Sequence, residues 1–336
     1  MAGFLKSSVR SVATRLAGRF GPHRWPSAEP RLWVLMYHRI LPATDPRYAA
    51  EEPGMVIQPA SLQMHIRELR KHFVLMSLSN WVAGRIAGNT LPPKACVITF
   101  DDGWLDNYEY AFPILQAEQA PATVFVVAEK VGTDFQFWPT IVAHLLVSGV
   151  YAPLQNTEPF GGVLAELSNV RQPTINREFI AEVIRRLKCY SDQAIFAGLE
   201  TIQWRQLAGP IQPALMDWDQ LRRLHGSGLV DVGSHTCSHQ RLDQALTTTA
   251  LEHEIVVSRQ IIEGHIQAPA NLFCYPNGDY SAGALALVEK TYQAAVTTRR
   301  GIASAGQPLH QLVRLGLHEE VSNTPSKFNA RLSSWM

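Results

Sequence analysis

Short apolar runs bounded by turn residues alternate along most of this chain with stretches whose apolar positions recur every three or four residues. The runs at 31–37 (RLWVLMY), 95–100 (ACVITF), 122–127 (ATVFVV), 230–233 (VDVG), 271–275 (NLFCY), 294–297 (AAVT) and 312–317 (LVRLGL) predict buried strands. Helical spacing predicts helices over 60–72, with Ser61 as cap, and over 107–119, 217–226, 247–265 and 281–291. Strand, helix and strand in that order is the signature of βαβ units and of a parallel sheet.

Two regions break the alternation. From 138 to 212 the short apolar strands give way to helical patterns (140–148, 177–188, 191–207), which reads as a helical insertion because strand–helix alternation resumes afterwards. At the other end, Pro22, Pro26 and Pro30 interrupt any helix and mark a linker, so residues 1–30 form a segment apart from a domain over 31–336. A loop is expected from Leu41 to Pro59. At 336 residues the chain exceeds an ordinary single domain, yet one α/β barrel can absorb that length.

The N-terminal segment carries Lys6, Arg10, Arg15, Arg19 and Arg24 and no acid, while Leu5, Val9, Val12, Leu16 and Phe20 recur at helical spacing. It lacks the unbroken apolar core of a secretory signal. Three readings stand: a helix packed on the domain, a frayed end, or a basic amphipathic helix over 1–25 making peripheral contact with an anionic membrane. No apolar run is long enough to span a bilayer. Composition narrows the classes further. With 46% hydrophobic residues the chain can bury a sizeable core, and a formal net charge of +1 gives no global footprint for nucleic acid. The four cysteines (96, 189, 237, 274) form no close pair, against a zinc knot or a disulfide framework; reduced thiols and a cytoplasmic chain, peripheral to the inner membrane, are the expectation. Oligomeric state is not legible.

Two constellations carry chemistry. In Thr99-Phe-Asp-Asp-Gly103 two adjacent carboxylates end a predicted strand. Mid-strand their side chains would face opposite ways, but at a strand end that turns at Gly103 both can enter one site. The plainer alternative is that Asp102 caps the next helix and Asp101 is solvated. In Gly233-Ser-His-Thr-Cys-Ser-His239 the histidines at i and i+4 would share one face of a helical turn and could hold one ion, or could be surface groups. Each motif follows a predicted strand, so a parallel barrel would bring Asp101, Asp102, His235 and His239 to one mouth. One carboxylate could complete a two-histidine metal site and the other act as base, activating water beside a polarised carbonyl.

TFDDG at 99–103 and SHTCSH at 234–239 resemble the first two motifs of the polysaccharide deacetylase family (the NodB-homology, carbohydrate esterase 4 group). The flanking Met36-Tyr-His-Arg39, Asn107-Tyr108, Ala111–Leu115 and Trp218–Leu221 agree, and the resemblance spans about 31–135 and 214–320. It implies a distorted (β/α)7-type barrel, with Asp101 as catalytic base and Asp102, His235 and His239 binding a divalent metal. Zinc is expected, with cobalt, nickel and iron as alternatives. The N-terminal YHR segment and helical insertion look like exopolysaccharide-associated members, implying an N-acetylated glycan as partner. The chain departs from the pattern twice. The segment matching the third motif, Phe273–Gly278, lacks the Arg that steadies the base, for which Arg314 is the candidate substitute. Tyr275, through its amide, and Asn277 are candidate oxyanion donors. The histidine acid is either His318, after the last strand, or His38, after the first.

The expected reaction is removal of N-acetyl groups, with a catalytically impaired sugar-binding barrel or an O-acetyl esterase as alternatives. Non-heme iron oxygenases share the two-histidine, one-carboxylate set, but no double-stranded β-helix pattern is present. Adjacent aspartates cannot flank a sugar ring at the roughly 5–9.5 Å that glycosidase pairs use.

Overall fold

Seven parallel strands close on themselves in the computed structural model, which describes residues 12–168, 174–243 and 246–335. They are β1 (Arg31–Tyr37), β2 (Lys94–Phe100), β3 (Ala122–Val126), β4 (Val230–Ser234), β5 (Leu272–Cys274), β6 (Ala294–Arg300) and β7 (Leu312–Gly316). Each pairs in parallel with the next, and β7 returns to β1 through Leu315 beside Leu35, completing a distorted (β/α)7 barrel. The register shifts between Leu312 and Arg314, a local irregularity at the β6–β7 seam. The two-residue strands Val74–Leu75 and Ala303–Ser304 lie outside the ring, on β2 and β1.

Alternation along the strands divides the core. Leu32, Val34, Val97, Phe125, Val296 and Leu312 share one cluster, whereas Trp33, Leu35, Tyr37, Ile98 and Phe100 pack with Leu62, Ile66 and Leu69 of helix Pro59–Leu69. β1, β2 and β3 read as near-continuous apolar runs because both faces are covered, whereas the last three residues of β6 are exposed. Capping fixes the helix starts: Asp217 and Gln220 form a reciprocal capping box before helix Trp218–Gly226, and Ser281 caps helix Ala282–Thr291. Helix Pro59–Leu69 begins differently from expectation. Pro59 occupies its first turn, and Ser61, rather than capping, is buried and donates to Glu319 at 3.0 Å. Two predicted helices contain a wider, π-helical turn, at Asn107–Ala111 and His253–Val257.

A second compact unit comprises 41–56 and 134–214. It is helical, with a core of Trp138, Ile141, Leu145, Phe160, Ile184 and Leu199. Residues 41–56 cluster with it, although sequence alone suggested only a loop. Among the described residues no helix is long and apolar enough to cross a membrane.

Candidate active site

Because the barrel strands are parallel, the residues just past their C-terminal ends gather at one mouth. β2 is followed by Asp101. The chain then turns through Asp102 (φ 72°) and Gly103 (φ 79°), two consecutive left-handed residues. A Cβ on Gly103 would lie 3.0 Å from the Val126 side chain, so the turn presses against β3. This bend lets neighbouring carboxylates face one site, and both are buried.

The histidine segment does not form the helical turn that i, i+4 spacing suggested. After Ser234 it is a loop with Thr236 (φ 69°) and His239 (φ 67°) in the left-handed region. The two rings nevertheless meet edge to face at 4.9 Å. Asp102 Oδ1 lies 3.3 Å from His235 Nε2 and 3.4 Å from His239 Nε2. Metal–ligand bonds of roughly 2.0–2.2 Å separate neighbouring ligand atoms by about 3.0–3.5 Å, so the three donors fit around one divalent ion. His235 Nδ1–H donates to the Cys274 carbonyl at 2.8 Å, which orients the ring with Nε2 toward Asp102. Asp102 Oδ2 accepts from Trp104 Nε1 at 2.8 Å, which orients the carboxylate. Burial opposes ionisation of Asp102, but the two histidines outweigh it and hold its pKa well below the usual carboxylate value.

Asp101 has a different partner. Arg314, from β7, donates from Nη1 to Oδ1 and from Nη2 to Oδ2, each at 2.7 Å. The pair is buried on both sides. The same guanidinium donates to the Thr297 carbonyl, Thr99 Oγ1 and Cys274 Sγ, so its surplus donors are met. Burial raises the Asp101 pKa, yet Arg314 more than offsets it and keeps the group ionised. Cys274, in the segment that lacks the expected Arg, touches the Arg314 guanidinium at 3.2 Å, which reaches it from the strand on the other side of β6.

The family model for polysaccharide deacetylases matches residues 88–155 and 172–296, more than half of the chain. The chain belongs to the polysaccharide deacetylase family. It is therefore a hydrolase of carbon–nitrogen bonds other than peptide bonds. YxkH of Bacillus subtilis, which carries the name of a polysaccharide deacetylase, is 21% identical over 90% of this chain and 77% of its own. The poly-β-1,6-N-acetyl-D-glucosamine N-deacetylase of Escherichia coli K12 is 36% identical over a shorter stretch, 25% of this chain and 13% of that one. In fold the chain resembles the Streptococcus pyogenes deacetylase PplD (TM-score 0.58, 18% identity, 90% of this chain and 97% of that one). IcaB of Ammonifex degensii is similar too (TM-score 0.55, 18% identity, 91% and 98%).

The remaining candidates of this deacetylase are placed unequally. His38 Nε2 lies 3.9 Å from Asp101 Oδ2. Its backbone carbonyl accepts from Asn107 Nδ2 at 2.8 Å, tying the end of β1 to the π-helical turn. His318 comes abreast of that position, since Leu317 N donates to Met36 O, but its Nδ1 pairs with Glu320 at 2.7 Å. The Tyr275 amide, expected as an oxyanion donor, is instead engaged by the Val296 carbonyl at 3.3 Å because β5 continues its pairing with β6 by one residue. Its hydroxyl donates to the His310 carbonyl. Asn277 is exposed in a left-handed turn (φ 55°).

Two anchoring groups, Asp106 and Glu254, escaped the sequence reading. Asp106 takes Arg39 Nε at 2.9 Å and the Ile40 amide at 2.6 Å, both buried, and Arg39 stacks on Trp104 at 4.2 Å. Glu254 accepts from the amides of Cys237 and Ser238 at 3.0 Å each and from Ser238 Oγ at 2.6 Å, holding the histidine loop. Both Asn107 and Glu254 sit in the π-helical turns, where an extra residue per turn redirects a side chain toward the barrel mouth. The motif-flanking acids were visible, but nothing in local spacing assigns them these partners.

Proposed function

We propose that this deacetylase removes N-acetyl groups from a β-1,6-linked N-acetylglucosamine polysaccharide, in a reaction that depends on a divalent metal, zinc foremost. The observation that carries the reading is the contrast between two adjacent aspartates. Asp102 faces two imidazole nitrogens at ligand spacing, while Asp101 is clamped by an arginine and kept ionised. Asp102, His235 and His239 would hold the metal. Bound there, a divalent cation supplies Lewis acidity, polarising the acetyl carbonyl and acidifying water.

The protein's own groups complete the chemistry. Asp101, ionised at neutral pH, takes the proton of the attacking water, and Arg314 keeps its carboxylate in place through the step. His38, nearer Asp101 than any other non-ligand histidine among the described residues, gives a proton to the departing amine. Asn277 is the favoured remaining donor for the oxyanion, since the Tyr275 amide is already engaged. The glycan assignment draws on the likeness to the Escherichia coli enzyme named for poly-β-1,6-N-acetyl-D-glucosamine.

The test is acetate release from poly-β-1,6-N-acetylglucosamine oligomers, chitin oligomers and an O-acetylated glycan, with zinc, cobalt or nickel restored after chelation and the bound metal quantified. Release from the β-1,6 oligomers that vanishes on chelation and returns with metal is expected. Release confined to chitin or to the O-acetyl substrate would reject the glycan, and metal-independent turnover would reject the metal.

A further inference from the structure

The helix ahead of β1 carries its large apolar side chains on the outside. In helix 12–20, Val12, Leu16 and Phe20 follow at one-turn spacing and are 56%, 51% and 53% exposed. The opposite face is made of small residues. Ala17 is buried, a Cβ on Gly18 would lie 3.0 Å from the Ser326 carbonyl, and one on Gly21 would collide with Ser333. Helix Pro325–Leu332 is thus approached through Ala and Gly, the reverse of a surface helix that buries its apolar stripe.

The exposed stripe is flanked by charge of one sign. At about 100° per residue, Arg15 and Arg19 fall beside Val12 and Leu16, and both are exposed. The Arg19 guanidinium lies 5.6 Å from the Phe20 ring. No acidic residue occurs before Glu29. Trp25 and Trp335, 51% and 55% exposed, meet edge to face at 5.9 Å. The outer half of the expected stripe, with Leu5, Val9, Lys6 and Arg10, lies outside the described residues.

We propose that this face docks on an anionic phospholipid bilayer. Arg15 and Arg19 take the headgroup phosphates, and Val12, Leu16 and Phe20 enter the upper acyl region. Tryptophan suits the interfacial depth because its ring is apolar and its N–H is not. Charge selects this occupant over a second copy of the chain, since a two-fold contact through the same patch would set arginines against arginines.

Flotation of the full-length protein with vesicles decides it. Vesicles of phosphatidylcholine containing about one-third phosphatidylglycerol should bind at low salt at least roughly tenfold better than pure phosphatidylcholine, and raised salt should weaken the binding. The double variant Leu16→Glu/Phe20→Glu should lose at least about tenfold of that binding while retaining its melting temperature and acetate release from a soluble substrate. Arg15→Gln/Arg19→Gln should flatten the salt dependence without unfolding the chain. Equal binding of wild type and Leu16→Glu/Phe20→Glu overturns the proposal, as does failure of wild type to bind anionic vesicles. A concentration-dependent dimer that the glutamates dissolve, without vesicle binding, assigns the face to self-association instead.

Discussion

Arg314 grips both oxygens of Asp101 at 2.7 Å from a strand 213 residues downstream. The bidentate fork fixes the carboxylate plane, and its burial makes the pair strongly coupled. Arg314→Ala leaves a buried carboxylate without its partner, which typically costs about 3–5 kcal/mol of stability and raises the acid's pKa. We therefore expect a lower melting temperature and an acid limb of kcat/KM displaced to higher pH. Arg314→Lys keeps the charge but not the fork, so its limb should move less while kcat still falls. An unmoved acid limb in Arg314→Ala would show that Asp101 does not control it.

Asp101 and Asp102 should separate cleanly under substitution. Asp101→Asn is expected to retain one equivalent of metal and lose turnover by on the order of a thousandfold or more. Asp102→Asn and His235→Ala should lose metal first, with activity following occupancy. Elemental analysis beside acetate release distinguishes the two patterns. Wild-type turnover in Asp101→Asn would remove it as the base.

How much of this was written in the sequence depends on the range of each interaction. The Asp pair was legible because Gly103 marks the bend that admits both carboxylates. The histidine pair was legible because it ends an apolar run, though Thr236 and His239 adopt left-handed backbone where a helical turn was expected. Arg314 could be nominated only as a stand-in. That it meets Asp101 follows from barrel closure, which sets β7 beside β1 and joins residues no periodicity relates. That the Tyr275 amide meets the Val296 carbonyl was hidden for the same reason, since it depends on how far β5 pairs with β6. The two π-helical turns left no mark in the apolar spacing, so the spacing gave neither Asn107 nor Glu254 its partner.

Glu254 offers a test of the loop that carries the histidines. It receives two backbone amides and the Ser238 hydroxyl, and the neighbouring His239 adopts a positive φ that the loop must sustain. Glu254→Ala should reduce metal affinity by roughly 10–100-fold, as losses of supporting groups around metal ligands do. With metal in excess, kcat should largely recover. Competition with a chromogenic chelator reads the affinity directly. Unaltered affinity would mean that the loop holds its shape without Glu254.

His38 and His318 can be told apart by the leaving group. A histidine that protonates the amine matters less when the leaving group needs no proton. His38→Ala should lower kcat on an N-acetyl glycan by about 10²–10⁴-fold, yet lower hydrolysis of an aryl acetate far less. His318, paired with Glu320, should show no such split. The opposite pattern would transfer the role to His318.

His65 makes stability depend on pH through a group remote from the chemistry. It is buried, accepts from the Tyr37 hydroxyl at Nδ1, donates from Nε2 to the Ser322 carbonyl and stacks on Phe328 at 3.9 Å. Burial lowers its pKa from 6.5 to about 4. Between those values the unfolded chain binds a proton that the folded chain refuses. Stability from this group is therefore complete above about pH 6.5 and falls as the pH drops toward 4, by roughly 3 kcal/mol at most. His23, buried and likewise lowered to about 4, acts in the same direction. His65→Phe should be less stable than wild type at pH 7, because Tyr37 and Ser322 lose a partner, by about 1–3 kcal/mol. It should nevertheless lose less stability between pH 7 and pH 5, since one of the histidines that the fold holds below its ordinary pKa is gone. Urea midpoints at the two pH values measure both effects, and a variant whose midpoint falls as steeply as wild type would show that His65 is protonated in the fold.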